Sequence, residues 1–171
     1  MSTLKVDSLV EKTSGNGVHI AGHVVQIVNA DLGYASVTST TKVDIGSATI
    51  TPKFATSKIL IVFEQHIYVG NWSTNQWRGA LVRLRRGSTT LLEDVDTGYG
   101  ESSYLESDLD RYMRYNTRTY VDTPNTTSAT TYTISGGCKG TTTIQYNNSV
   151  SQNNYGAGGR IILQEIAQRP V

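Results

Sequence analysis

The run Lys58-Ile-Leu-Ile-Val-Phe-Glu-Gln-His-Ile-Tyr-Val69 decides the fold of this 171-residue chain. Its first part, Ile59 to Phe63, is five consecutive large apolar residues, so both faces of a strand formed by it are apolar. Such a strand is expected at the centre of a sheet, buried on both sides. The sequence therefore predicts a β protein organised around residues 58–69.

Shorter strand-like runs lie on either side of this centre. Ala80, Val82 and Leu84 alternate with arginines, which indicates a half-buried strand, and Gly87-Ser88 then predicts a hairpin turn. The other predicted strands are His23–Val28, Val43–Thr51, Thr89–Leu92, Tyr112–Val121, Ala129–Ser135, Thr141–Tyr146 and Arg160–Ala167. Nine strands with short turns favour an antiparallel β-sandwich of the jelly-roll type. Helix is disfavoured by the Thr and Gly content, and Glu106–Met113 alone fits a helical turn.

The composition restricts the classes of partner. Charged residues make up 17% of the chain and the net charge is +1, which argues against nucleic acid as a partner. We expect the arginines at 78, 83, 85 and 86 to form one solvated face instead. A single cysteine, Cys138, excludes an internal disulfide, and no apolar stretch reaches the ~18 residues of a membrane helix. The first residues lack an apolar signal core, so ordinary secretion is not expected.

The chain divides into two zones. From Met1 to Gly22 large apolar residues are sparse, and Ser14-Gly-Asn-Gly17 is typical of a turn. Such a segment cannot form its own core, so we expect it to stay loose or to lie against a partner. With the first strand it makes an attachment and trimerisation segment, residues 1–28, ahead of a β-sandwich knob, residues 29–171.

The residue types of enzymes and metal sites do not form recognisable motifs. His19, His23 and His66 are the imidazoles, and no HExxH or cysteine cluster completes a zinc site around them. Residues 136–141, Gly-Gly-Cys-Lys-Gly-Thr, lack the spacing of a phosphate loop and predict a glycine-rich hairpin. We expect no catalytic residue, no metal and no cofactor.

Acidic residues concentrate between Glu93 and Asp110, which holds seven of the fourteen carboxylates. The spacing Asp94-x-Asp96-x-Gly98 suggests calcium but lacks the remaining EF-hand ligands. Paired carboxylates of a glycosidase are a second reading. The third reading is a solvated acidic loop neutralised by arginines that follow it in sequence, at 111, 114 and 118.

Exposed aromatic residues point to binding. The chain has ten tyrosines against two phenylalanines, and Trp72 lies in the polar stretch 70–77. Tyr and Trp combine an apolar ring with a polar tip, so they suit sugar stacking as well as subunit packing. The candidate receptor-binding residues are Trp72, Asp94, Asp96, Tyr99, Glu101 and Tyr104.

Three stretches resemble small tail-fibre and appendage proteins of marine and cyanobacterial tailed phages. The opening MSTLKVDSLV, residues 1–10, is similar to their common start. Residues 47–61, SATITPKFATSKILI, resemble their "sATITP…SKILI" pattern, and residues 159–167, GRIILQEIA, resemble their closing "LxEI" strand. The resemblance covers both ends and the middle of the chain.

This resemblance implies an N-terminal attachment segment, a trimeric β-sandwich knob and a non-enzymatic role on the virion, in tail assembly or host-surface attachment. It brings no catalytic residues. The expected partners are two further copies of the chain, other tail proteins at the N-terminus and a host glycan. Alternatives from other classes are a secreted carbohydrate-binding or tumour-necrosis-factor-like module, and a tailspike depolymerase.

Overall fold

The computed structural model describes residues 8, 10, 20–70, 79–94, 103–104, 112–139, 143–147 and 158–168. Within these ranges the chain forms eleven strands and no helix. The strands are β1 (Val24–Leu32), β2 (Ala35–Val37), β3 (Val43–Ile50), β4 (Lys58–Gly70), β5 (Gly79–Arg86), β6 (Thr89–Glu93), β7 (Ser103–Tyr104), β8 (Tyr112–Asp122), β9 (Thr130–Lys139), β10 (Thr143–Tyr146) and β11 (Gly159–Ile166).

The strands form two antiparallel sheets in jelly-roll order. In the first sheet the order is β1-β11-β4-β8, and β10 and β2 continue it beside the second half of β4. In the second sheet the order is β3-β9-β5-β6, with β7 beside the start of β5. Successive long strands cross between the sheets, as the two Greek keys of a jelly roll require. The predicted all-β, antiparallel sandwich is therefore confirmed.

The core lies between the sheets and is centred on β4, as the sequence predicts. Ile59, Ile61 and Phe63 are fully buried among the apolar residues of the second sheet, such as Val82 and Ile134. Leu60 and Val62, on the opposite side of β4, are half-buried and do not belong to this core. The expectation that both faces of the strand are buried is thus met on one face and only partly on the other.

Three contacts between the sheets fix their relative register. The Tyr146 hydroxyl donates to the carbonyl oxygens of Leu81 (2.9 Å) and Gly137 (2.6 Å), and Tyr146 is level with Ile67 on β4. Arg118 and Arg86 form two further contacts, described below. β4 ends at Gly70, β5 begins at Gly79, and the two strands run in opposite directions. Gly70 and Gly79 therefore lie at the same end of the sandwich, here called the tip.

The opposite end, the base, is where Gly22 and His23 lie beside Ala167. The Gly22 amide donates to the Ala167 carbonyl oxygen at 2.7 Å, and the Ala167 amide donates to that of His23 at 3.0 Å. Ala167 directly follows Ile166, which pairs with Lys58 at the start of β4. The chain therefore enters the sandwich at the base. Because β1 runs from Val24 to Leu32, residues 24–28 of the predicted attachment segment belong to the first sheet.

A buried carboxylate organises the base. Glu165 is completely buried, and its Oε1 accepts hydrogen bonds from the Ser57 hydroxyl (2.7 Å) and the backbone amides of Lys53 (2.8 Å) and Phe54 (3.1 Å). Its Oε2 accepts from Nε2 of Gln26 at 2.6 Å. These bonds hold the connection between β3 and β4 against β11. They also join residues of the two sequence stretches 47–61 and 159–167.

Most predicted strands are confirmed, and three predictions are wrong in part. Gly136 to Lys139 belong to β9 rather than to a hairpin, because a Cβ on Gly136 would lie 2.6 Å from the ring of Tyr146. Tyr112 and Met113 begin β8, not a helical turn, and residues 106–111 lie outside the described ranges. Arg86 points to the core side of β5, because adjacent residues of a strand face opposite sides.

Candidate binding surface at the tip

The strand ends at the tip come from both sheets. In the first sheet Gly70 pairs with Thr143, and the preceding residue of β4 pairs with Tyr112. In the second sheet Gly79 pairs with Tyr104 on one side and Lys139 on the other. The residues that precede and follow the stretches 71–78 and 105–111 are therefore brought together at one end of the molecule.

The candidate receptor-binding residues are distributed unevenly over the described ranges. Trp72, Asp96, Tyr99 and Glu101 lie outside them. The backbone of Tyr104 lies in β7 and pairs with Gly79, which directly follows residues 71–78. This pairing makes the start of β5 a neighbour of Tyr104 in the acidic stretch 93–110, although the two are apart in sequence.

Asp94 is the candidate whose side chain is described, and it lies at the edge of the core. Arg118 Nη1 and Nη2 donate to its two carboxylate oxygens at 2.7 and 2.8 Å, in the bidentate geometry that favours Arg–carboxylate pairs. The Val82 amide donates to Oδ2 at 3.1 Å, and the Asp94 amide donates to the Val82 carbonyl oxygen at 2.9 Å. The side chain of Asp94 is 10% exposed. Its geometry fits a role in fixing where the following residues leave the sandwich.

The pair between Asp94 and Arg118 bears on the acidic stretch. Neutralisation of this stretch by a following arginine is confirmed for Asp94, although that carboxylate is not solvated. A second pair lies closer to the base, where Arg86 Nη1 donates to Asp122 Oδ1 and Oδ2 at 2.9 and 2.8 Å. Both pairs connect β8, an edge of the first sheet, with the second sheet. These two ion pairs therefore connect the two sheets on the β8 side of the sandwich.

Sequence reasoning missed the residue that sets the inner geometry near the tip, Tyr146. Its hydroxyl is buried between the sheets, and burial raises the pKa of this group well above its ordinary value. The ring occupies the space that a side chain at 136 would take, because a Cβ there would lie 2.6 Å from it. The adjacent glycines inside a Thr-rich run were the signal, since glycine within a strand often marks a close approach.

The described residues also bear on metal binding and on membrane insertion. No group of three or more His, Cys, Asp or Glu side chains there could hold a metal ion. His23 precedes β1 at the base, His19 lies outside the described ranges, and His66 lies on the outward side of β4 with its ring against Tyr115. A helix with the length and apolar character needed to cross a membrane does not occur among these residues.

Comparison with known proteins gives distant structural similarity. No family model matches the sequence, and no curated protein matches it. The structure is similar to VP2 of the infectious bursal disease virus subviral particle, with 14% identity and a TM-score of 0.44 over 98% of this chain and 40% of that chain. The structure is also similar to dimeric latent PorU from Porphyromonas gingivalis, with 8% identity and a TM-score of 0.37 over 89% of this chain and 14% of that chain.

A second similarity is to the T13 particle of infectious bursal disease virus, with 11% identity and a TM-score of 0.40 over 83% of this chain and 35% of that chain. This chain spans less than half the length of each of these proteins. The strand order itself, rather than these similarities, defines the fold.

Proposed function

We propose that this chain is a structural appendage protein of a virus particle, similar to the small tail fibres of tailed phages. In this proposal the base attaches to the particle through residues 1–28, and the tip faces the host surface. Three copies form the working unit. No catalytic role is proposed.

The observation that carries this proposal is the polarity of the molecule. The N-terminal residues lead into the sandwich at the base, beside Ala167. The stretch that contains Trp72 lies between Gly70 and Gly79, and Tyr104 of the acidic stretch pairs with Gly79 at the tip. A protein that holds a particle at one end and a ligand at the other needs this separation, because the two contacts must not compete for one surface.

The base supports the resemblance to tail-fibre proteins in a second way. Two of the three similar stretches, 47–61 and 159–167, meet through the hydrogen bond from Ser57 to Glu165. A buried carboxylate needs donors that are fixed in place, so serine and glutamate at these positions depend on each other. The stretches therefore act as one structural unit, which favours a common origin with proteins that carry both.

The proposed ligand at the tip is a glycan. Trp72, Tyr99 and Tyr104 would supply ring surfaces for stacking, while Asp96 and Glu101 would orient sugar hydroxyl groups. Asp94 would support this surface from below through Arg118. One site of this kind is weak, and three tips on one unit would strengthen binding through effective concentration.

The proposal is tested on particles of the virus whose genome carries this sequence. Antibodies raised against residues 29–171 are expected to label a tail or surface appendage in electron micrographs. Deletion of residues 1–19 is expected to leave a folded protein that is missing from the particles. Particles that carry no label would overturn the proposal.

The tip is tested separately with Trp72→Ala and Tyr104→Ala. Both variants are expected to enter the particles and to reduce adsorption to host cells. Tyr34→Ala is the control, because Tyr34 is 57% exposed and lies between β1 and β2, outside the candidate set. Normal adsorption of both tip variants would show that the tip does not bind the host.

A second candidate function is a trimeric carbohydrate-binding module that works free of any particle. The jelly-roll order favours it, since this fold is also the fold of lectin domains. This candidate predicts glycan binding by the purified protein and no label on particles. The labelling experiment therefore separates the two functions.

A further inference from the structure

The outward face of the first sheet carries a continuous apolar surface, here called the aliphatic face. It consists of Ile27 on β1, Ile162 and Ile166 on β11, Leu60 and Val62 on β4, and Val121 on β8. Strand register makes these residues neighbours: Ile162 pairs with Val62, Leu60 pairs with Val121, and Gln164 lies between Ile27 and Leu60.

These side chains are not part of the core. Ile27 is 59% exposed and Val121 is 52% exposed, and the other four are half-buried. None belongs to the core cluster between the sheets. Four strands spaced by about 4.8 Å, over six or seven residues of about 3.4 Å each, make a face of roughly 400 Å². This area includes the polar Gln164, and apolar patches of this size on a protein surface are often functional.

The outward face of the second sheet has the opposite character. Arg85 Nη2 donates to both carboxylate oxygens of Asp44 at 2.6 and 2.7 Å, and the Ser135 hydroxyl donates to Asp44 Oδ1 at 2.7 Å. Burial alone would raise the pKa of Asp44, but the hydrogen bonds from Ser135 and Arg85 lower it below its ordinary value. Around Asp44 the outward face of the second sheet is therefore polar and charged, in contrast to the aliphatic face.

The charges around the aliphatic face favour a copy of the same chain as the occupant. Asp31, Arg160 and Glu64 follow one another across β1, β11 and β4, with Asp31 Oδ1 3.5 Å from Arg160 Nε, and Lys58 lies at the base end of β4. These two acidic and two basic groups give the edge of the aliphatic face no net charge, so it repels neither a positively nor a negatively charged partner. Because the signs alternate along this row, a carboxylate of one copy can lie opposite the guanidinium of another copy.

We propose that the aliphatic face is the contact between copies of this chain in its oligomer. The inference rests on the proposed function, since a trimeric appendage requires such a contact. The inference adds which surface the copies use. In this arrangement the bases of all copies lie side by side and the tips stay free. The N-terminal segment of the same chain is a weaker occupant, because Val10 within it is 83% exposed.

The test is sedimentation of the full chain at micromolar concentration, as wild type and as the double variant Ile27→Lys and Val121→Lys. Both positions are exposed in the single chain, so lysine there leaves the fold intact. Val43→Lys is the matched control, because Val43 is 42% exposed and lies on β3 of the second sheet. Circular dichroism and thermal unfolding report the fold of each variant.

The wild type and the control are expected to sediment as an oligomer of three chains. The double variant is expected to sediment as a folded monomer, with a dissociation constant raised on the order of 100-fold or more, since each lysine must be desolvated in an apolar contact. An oligomeric double variant would overturn this inference and leave the proposed function standing. A wild-type monomer would overturn both the inference and the trimer. Particles that the antibodies do not label would overturn the virion role alone.

Discussion

Glu165 and Gln65 lie on the core side of neighbouring strands and are both completely buried, yet their surroundings are opposite. Glu165, at the base, accepts four hydrogen bonds from Ser57, Lys53, Phe54 and Gln26. Gln65, closer to the tip, has no hydrogen-bond partner for either side-chain amide atom within the described part of the chain.

A buried polar group fixes the local geometry when its hydrogen bonds are made and destabilises the fold when they are not. A satisfied carboxylate fixes one geometry, because removing it leaves several donors unpaired at once. An unpaired amide contributes desolvation cost without that benefit. The base is therefore expected to be the most sensitive part of the core to polar substitution, and Gln65 a position where the wild type is not the most stable choice.

The largest effect is expected for Glu165→Ala. This change leaves the Ser57 hydroxyl and the backbone amides of Lys53 and Phe54 without their acceptor, and we expect a loss of about 4 kcal/mol in the free energy of unfolding. Urea unfolding measures it. Glu165→Gln, which keeps the shape and one oxygen acceptor, should lose clearly less; equal losses would show that the full carboxylate, and not the packing of the side chain, matters at this position.

A smaller loss is expected for Ser57→Ala. It removes one donor to a buried carboxylate and should reduce the free energy of unfolding by about 2 kcal/mol. The exposed Ser47, on β3, is the control, and Ser47→Ala should stay within about 0.5 kcal/mol of wild type. If the two alanine variants unfold alike in urea, the Ser57 bond to Glu165 does not stabilise the base.

The same substitution at two glutamines is expected to have opposite signs. Gln65→Met removes an unpaired amide and should raise the free energy of unfolding by about 1 kcal/mol. Gln26→Met removes the donor to Glu165 and should lower it by about 1 kcal/mol. Chemical denaturation of both variants decides the point. A destabilised Gln65→Met would indicate that an ordered water or another group satisfies this amide.

The smallest effect is expected at His66, which follows Gln65 on the outward side of β4. Burial lowers the pKa of His66 below its ordinary value of 6.5, and the nearby Glu64 opposes this shift. The folded state therefore favours the neutral ring, so its stability is present above pH 6.5 and falls as the pH drops through the lowered pKa. The denaturant midpoint should fall less between pH 7 and pH 5 in His66→Gln than in the wild type.

The sequence was sufficient for the elements whose pattern is local. Five apolar residues in a row predict β4, and alternation with arginine predicts β5, because strand geometry alone decides these patterns. Gly136 was assigned to a turn because the ring of Tyr146, which requires a glycine there, lies ten residues further along the chain.

The candidate site was less accessible from sequence. The acidic stretch and the arginines after it predict that a carboxylate is neutralised, but not that Asp94 also bonds the Val82 backbone at the edge of the core. That arrangement depends on how β8 lies over β5, which no local pattern contains. That Gln65 has no hydrogen-bond partner among the described residues could not be predicted either, since it depends on every residue around the amide.

The cross-sheet contacts at Tyr146, Arg118 and Arg86 all lie between the tip and the base, so the register of the strands does not depend on how the tip connections are closed. Lengthening such a connection adds only closure entropy, about 0.6 kcal/mol for each doubling of its length. The stretch between Gly70 and Gly79 is for this reason a natural cassette: foreign peptides can be inserted there, and the scaffold beneath would present them outward without being redesigned.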